Sequence, residues 1–340
     1  MLYDSYFRKP EDAALFLEKI RKYADQTGPV RLMEICGTHT MAIARSGLKS
    51  ILPENIRLLS GPGCPVCVTP SSMIDLVLDL SQKPGTLIAS YGDLLRVPGS
   101  TQRDSLLARR ALGGKIESVY SPIDAVEIAG KHPETEVIFL GVGFETTAPG
   151  TAACILEAAS RGLKNFSVLC LLKRTEPAVI GADGFAFLPE DYGLPGVVSG
   201  FEPADLLCSV LELTEMIARK QPALKNEYTR VVRPQGNPAA LALTEKVFCP
   251  APSDWRGLGH IEGSGYAIKP EYAQWDAVKK FSLSPEKEKN IPGCRCADVI
   301  RGVLRPAECP LFRKVCSPEN PAGPCMVSGE GACAAAYQYE

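Results

Sequence analysis

Thirteen cysteines, unevenly placed, constrain this 340-residue chain more than any other feature. Six fall in the last 47 residues: Cys294, Cys296, Cys309, Cys316, Cys325 and Cys333. Cys36, Cys64 and Cys67 lie in the first fifth, and Cys154, Cys170, Cys208 and Cys249 are scattered between. An odd count cannot be fully paired, and clustered thiols in a reducing compartment serve metal binding or redox chemistry rather than structural disulfides. The pattern argues against an ordinary hydrolase and against a secreted, disulfide-stapled fold. With 37 basic and 39 acidic side chains and no Lys/Arg block, neither nucleic acid nor an anionic membrane is expected as a partner. Charges interrupt the first 26 residues every few positions, and no window approaches the roughly 18 apolar residues of a span. Neither a signal peptide nor a membrane helix is expected, and the expected location is cytoplasmic.

Length suggests two or three domains. Short apolar runs at 30–35, 56–60, 86–90, 116–120, 136–140, 166–172, 196–199 and 229–233 read as strands. Helical patterns lie between and around them at 10–25, 39–46, 71–81, 101–112, 122–130, 148–161, 177–182 and 203–219. Such alternation predicts parallel α/β sheets. Two segments, IRLLSGPGCPVCVTPSS and VIFLGVGFETTAPGT, share a strand, then Gly-x-Gly, then Thr/Pro opening a helix. The expected plan is two similar α/β domains, 46–135 and 136–235, with 1–45 and 236–340 forming a third, mainly helical and looped domain. From 291 onward the chain is rich in Pro, Gly and Cys and is expected to need a metal to hold it together.

Three motifs follow predicted strands. Cys36-Gly37-Thr38-His39-Thr40 places a thiol at a strand end beside a helix start that Thr38 would cap, where the helix dipole would favour thiolate. Open α/β sheets bind ligands at that edge. Gly61-Pro62-Gly63-Cys64-Pro65-Val66-Cys67 puts C-x-x-C at a helix start, a redox or metal motif, with glycines that permit close backbone approach. Gly141-Val142-Gly143-Phe144-Glu145-Thr146-Thr147 has Thr146 where a dinucleotide fingerprint needs its third glycine, so it reads as a turn carrying Glu145 towards a domain interface. Asp93, after another strand, would face the same crevice as Cys36. His260 and Glu262 lie in a Gly-rich loop without metal-ligand spacing and read as structural, and His132 reads as a helix-end residue. Six tail thiols exceed one four-ligand site, and spacing alone leaves both an Fe–S cluster and a Cys₄ zinc knot open.

MEICGTHT, GPGCPVCVTP and GFETT, in that order, resemble the HypD family of hydrogenase maturation factors, and the likeness extends from residue 30 to 335. That family's C-x14-C-x6-C-x16-C pattern matches Cys294, Cys309, Cys316 and Cys333. The resemblance implies two α/β domains plus a third holding a [4Fe–4S] cluster on those four cysteines. It also implies a scaffold role in building the Fe(CN)₂CO group of [NiFe] hydrogenases, with a small HypC-type partner and cyanide from a HypE-type donor. Cys36, Cys64 and Cys67 become the iron-handling and thiol-redox residues. His39 is the nearest group for moving a proton or orienting bound cyanide, and Thr38, Asp93, Glu145 and Thr146 are supporting candidates. Cys296 and Cys325 lie outside the four-ligand pattern, as a second redox pair or idle thiols. Two other readings compete: an Fe–S dithiol–disulfide oxidoreductase acting on a protein disulfide, and a zinc-folded protein whose α/β part binds a small ligand.

Overall fold

The apolar runs become strands because each has the burial pattern its covering demands. The computed structural model describes residues 10–101, 104–174, 181–286 and 291–340. Helix α1 (Pro10–Ala24) leads to β1 (Val30–Glu34), where Val30 and Leu32 are buried while Arg31 and Met33 face out, the two-residue period of a half-covered strand. Helix α2 (Gly37–Arg45) returns the chain to β2 (Ile56–Ser60), parallel to β1 from Val30↔Ile56 to Glu34↔Ser60. The short α3 (Pro65–Val68) and α4 (Ser71–Leu80) precede β3 (Thr86–Ser90). Then come β4 (Ile116–Ser118), α5 (Pro122–Lys131), β5 (Glu136–Gly143), α6 (Ala148–Ser160) and β6 (Phe166–Leu172). These four strands form a parallel sheet in the order β4-β3-β5-β6. All of β3 and β5 from Val137 onward are buried, as continuous apolar strands must be when helices cover both faces. A parallel pair, β7 (Gly196–Val198) and β8 (Leu224–Asn226), flanks α7 (Pro203–Arg219). Helix α8 (Pro238–Val247) runs into an antiparallel hairpin of β9 (Phe248–Trp255) and β10 (Gly259–Ile268), fastened to the end of β6 by the Lys173↔Gly265 bridge. The tail contributes three short helices, α9 (Cys296–Ile300), α10 (Pro324–Val327) and α11 (Ala332–Tyr339). Among the described residues no helix is long and apolar enough to cross a membrane.

The protein is thus mixed α/β, with parallel-sheet domains and a Cys-rich C-terminal region. Ile20, Leu32, Ile43 and Ile56 share one core with Leu206 and Val210, which joins β1 and β2 to α7. Phe139, Val126 and Ile155 cover one face of the four-stranded sheet. On its other face Ile74, Ile138 and Leu140 share a core with Val66 and Val68 of α3 and with the tail's Ile300, Phe312 and Met326. Each such buried side chain contributes about 1.5–3 kcal/mol, so apolar contact as well as its thiols anchors the tail.

Several expectations need correction. The four-stranded sheet takes β3 and β4 from one side of the 135/136 boundary and β5 and β6 from the other. The first core likewise draws on residues 20–56 and 206–211. The chain therefore groups across, rather than along, the boundaries at 45/46 and 135/136. Residues 229–233 are turn and irregular chain, and the strand is three residues at Leu224–Asn226. The expected helix at 101–112 is confined to Leu106–Ala111. The expected helix 177–182 falls largely outside the described residues. The third region is not only helix and loop, because β9 and β10 escaped notice: β9 carries Pro250 and Pro252, and β10 carries Gly259, Gly263 and Gly265. Those residue types suppress strand signals.

Candidate functional site

The parallel pairing of β1 with β2 decides where the first two thiol motifs lie. Cys36 is the N-cap of α2 and Cys64 the N-cap of α3, each just past the carboxyl end of its strand. Gly61 N–H donates to Glu34 O at 2.7 Å and Gly37 N–H to Gly63 O at 2.9 Å, stitching the two loops together. A Cβ on Gly63 would stand 2.5 Å from Cys36 Cα and closer still to Cys36 N, so only glycine permits this approach. The tail closes over the same rim. Thr38 Oγ1 donates to Glu330 Oε1 at 2.7 Å, and a Cβ on Gly37 would sit 2.5 Å from Glu330 Cβ. Thr38 therefore ties α2 to the tail, and Cys36 rather than Thr38 occupies the cap position.

Burial and hydrogen bonding set the three thiols apart. Burial pushes the Cys36 thiol above its ordinary value; the backbone amides of His39 and Thr38 pull it back, while the Glu34 and Glu330 charges push further up. The expected lowering by the helix terminus is outweighed by desolvation. Burial also pushes Cys64 up, but hydrogen bonds from Cys67 and Ser328 outweigh it and bring the thiol below its ordinary value. The Cys67 amide donates to Cys64 Sγ at 3.1 Å. Cys67 is held far above the usual range by its burial and by Cys64. The pair is thus polarised, Cys64 shifted towards thiolate and Cys67 towards thiol. Glu34 lies beneath Cys36, accepting its N–H at 2.9 Å and the Thr40 hydroxyl, and burial raises its pKa from 4.5 to about 7.

Beside the rim opens a cavity of about 380 Å³, bordered by Pro65, Val66, Tyr91, Asp93, Thr147 and Glu330 among others. It sits at the carboxyl ends of β3 and β5, where the strand order reverses, the position at which open parallel sheets take ligands. Asp93 does reach this cavity, accepting from Ser328 Oγ at 3.3 Å. Glu145 is buried in the turn after β5 and Thr146 is exposed; Val142 and Thr147 are the residues of that motif that line the cavity. His39 is held by a distant loop: its Nε2 lies 3.0 Å from Gly200 O and its ring stacks on Phe201. His260 is exposed and bonded to Asp254 at 2.8 Å, and His132 is exposed beside Glu134.

All six tail cysteines line one cavity together with Leu311, Phe312 and Met326. Cys325 Sγ lies 2.8 Å from Cys296 Sγ and 3.5 Å from Cys333 Sγ. Helix α10, which carries Cys325, packs against α3, which carries Cys67, and the charges of Cys325 and Cys296 are felt at Cys67. Burial raises Cys294 to about 12, helped by Cys296. A single tetrahedral zinc at about 2.3 Å from each sulfur needs all its donors within roughly 4 Å of one another. Among the described residues, the group of three such donors whose ligand atoms all lie within 4.8 Å of one another is Cys208, Glu212 and Glu227.

The family model described as "HypD: Hydrogenase formation hypA family" matches residues 11–180 and 177–340. This chain belongs to the HypD family. Its relatives include the hydrogenase maturation factor HypD of Azotobacter vinelandii, 42% identical over 368 residues with 100% of this chain and 97% of the relative covered. The HypD of Rhodobacter capsulatus is 42% identical over 372 residues, covering 100% and 98%, and that of Escherichia coli K12 is 39% identical over 362 residues, covering 98% and 96%. As a HypD, the chain is a hydrogenase maturation factor. The structure brings Cys36, Cys64, Cys67 and Thr38 to one rim, places Asp93 on the adjoining cavity, and sets Glu145 and Thr146 apart from it. Sequence reading missed Glu34, Ser328, Glu330 and Phe201. Glu34 stands in the quoted MEICGTHT motif, and Ser328 and Glu330 sit between Cys325 and Cys333, so their positions were visible though their contacts were not.

Proposed function

We propose that this chain is the scaffold on which an Fe(CN)₂CO group is assembled, with Cys36 taking the iron, a HypC-type partner sharing it and a HypE-type donor delivering cyanide. The observation that carries this reading is the glycine-mediated contact between the Cys36 and Cys64 loops, which brings the Cys36 thiol and the C-x-x-C thiols to one rim. Iron bearing cyanide and CO is soft, and thiolate suits it. Desolvation and two carboxylates keep the free Cys36 neutral, so taking up iron releases a proton from Sγ. Forming the Cys64–Cys67 disulfide releases two electrons and two protons. Cys296 and Cys325 are also free thiols, so the oxidant would be a disulfide brought by another protein, whose S–S bond breaks as the Cys64–Cys67 bond forms and whose two thiols take the protons. Cys294, Cys309, Cys316 and Cys333 would hold a [4Fe–4S] cluster, which when bound supplies one-electron transfer. Ser328 and Glu330, between Cys325 and Cys333, carry the tail to the rim.

The test is infrared spectroscopy on protein co-produced anaerobically with its partners. CO and cyanide bands are expected in the wild type and absent in Cys36→Ala, with the brown cluster retained. Bands that survive in Cys36→Ala reject the assignment.

A further inference from the structure

Hairpin turns normally lie at the surface, yet the turn joining β9 to β10 begins buried. Trp255 opens it, stacked on Phe144 at 5.9 Å and donating from Nε1 to Ser264 Oγ at 2.8 Å. Arg256 follows and is only 7% exposed. Its N–H donates to Val68 O at 2.8 Å, and its Nε donates to Thr69 O at 2.8 Å. Gly257 comes next, at φ +82°, and a Cβ there would stand 2.8 Å from Ala297 Cα, beside Cys296. The turn therefore touches the C-x-x-C segment through Arg256 and the Cys-rich tail through Gly257. What Arg256 holds is short. Helix α3 is four residues long, with Cys64 as its N-cap and Thr69 as its C-cap. A single turn does not persist unaided, because nucleation costs more than so few bonds return. At its start the Cys67 amide donates to Cys64 Sγ at 3.1 Å, and Thr69 Oγ1 closes back on Pro65 O at 2.8 Å. The carbonyls at its end lie beyond the helix's own ladder, and Val68 O and Thr69 O are the two that Arg256 takes.

We infer that Arg256 is a positioning residue for the Cys64–Cys67 couple: by holding Val68 and Thr69 it keeps α3 wound, and with it the Cys67 N–H on the Cys64 sulfur. The inference rests on the reading that Cys64 and Cys67 interconvert between dithiol and disulfide. A thiolate or thiol sulfur accepts that N–H more strongly than a disulfide sulfur does, so the bond stabilises the reduced form. An interaction made in one redox state alone moves the equilibrium towards that state. Loosening α3 therefore moves the couple towards the disulfide. Glutathione reads the balance: the Cys64–Cys67 disulfide and two glutathione thiols give the dithiol and oxidised glutathione. One S–S bond breaks as another forms, and two protons pass from glutathione to Cys64 and Cys67.

The test equilibrates the full chain anaerobically in graded glutathione buffers, then quenches, alkylates and digests it. Trypsin cuts after Arg57 and Arg96, because Lys83 precedes Pro84, and so releases Cys64 and Cys67 on one peptide free of other cysteines. Two substitutions separate the bond from the charge. Arg256→Gln keeps an N–H donor where Nε stands and loses the charge, whereas Arg256→Met keeps the stem and loses both. Arg256→Gln is expected to titrate within about twofold of the wild type. Arg256→Met is expected to need a buffer about tenfold more reducing, or worse, which is about 30 mV for a two-electron couple. Thermal unfolding followed by circular dichroism confirms that each variant is folded. Should Arg256→Met not fold, Gly257→Ala displaces the same turn against the Ala297 backbone and is expected to shift the couple the same way. A wild-type titration in whichever of these two variants folds overturns the inference. So does Arg256→Gln shifted about tenfold, because the charge rather than the bond would then be responsible. A wild-type peptide that stays dithiol in every buffer would instead strike the redox reading, and the inference with it.

Discussion

Gly63→Ala probes the contact on which the rim depends. The new Cβ would meet backbone, 2.5 Å from Cys36 Cα, with no flexible side chain to move aside. Reaching ordinary contact requires the Cys36 and Cys64 loops to part by about 1 Å. That stretches the 2.9 Å Gly37 N–H to Gly63 O bond beyond useful length, a net loss of about 0.5–1.5 kcal/mol. Overpacking adds about 1–3 kcal/mol, for a total of about 1.5–4.5 kcal/mol. A displacement of that size at a reacting centre costs on the order of a hundredfold in rate. None of the atoms that meet the new Cβ belongs to the tail cavity, so cluster absorption should stay intact. Thermal unfolding followed by circular dichroism, together with the rate of infrared band formation, checks both parts. A variant that melts with the wild type and loads iron at the wild-type rate would refute the reasoning.

Other substitutions separate the parts of the site. Cys309→Ser should bleach the brown colour and lower iron and sulfide content; unchanged iron would reject Cys309 as a ligand. Iodoacetamide near pH 7.5 should modify Cys64 ahead of Cys67 by peptide mass spectrometry, and Ser328→Ala, which removes a hydrogen bond to Cys64, should move that reactivity to higher pH. Burial raises Glu34 from 4.5 to about 7, so its contribution to stability is full below pH 4.5 and is lost as pH rises through about 7. At ~1.4 kcal/mol per pH unit this amounts to about 3 kcal/mol. Glu34→Gln keeps the acceptor for the Cys36 amide and should flatten that dependence in denaturation measured between pH 5 and 8; an unchanged slope would show that another group causes it.

The strands of the four-stranded sheet were legible because buried parallel strands are continuous apolar runs, and EVIFLGVG has no other comfortable place. The thiols were legible as strand-end residues because Cys36 and Cys64 directly follow such runs. Their grouping was not. Which strand lies beside which is set by crossover connections and packing, so the pairing of β3 with β5 and of β1 with α7 has no local signature. His39 shows the same limit: its ring is held by Phe201 and Gly200, more than 160 residues away. Glu330 reaches Thr38 across 292 residues. The thiol state of Cys36 was misjudged for a different reason. A helix start is visible in sequence, but the desolvation that outweighs it depends on how deeply the tail covers the rim.

The most direct measurement is Mössbauer spectroscopy of iron-57-enriched protein co-produced with its partners. The wild type should carry a low-spin iron signal in addition to that of the tail cluster. Cys36→Ala should lose the low-spin signal alone, and Cys309→Ser should lose the cluster signal. A low-spin signal that persists without the Cys36 sulfur would contradict the account.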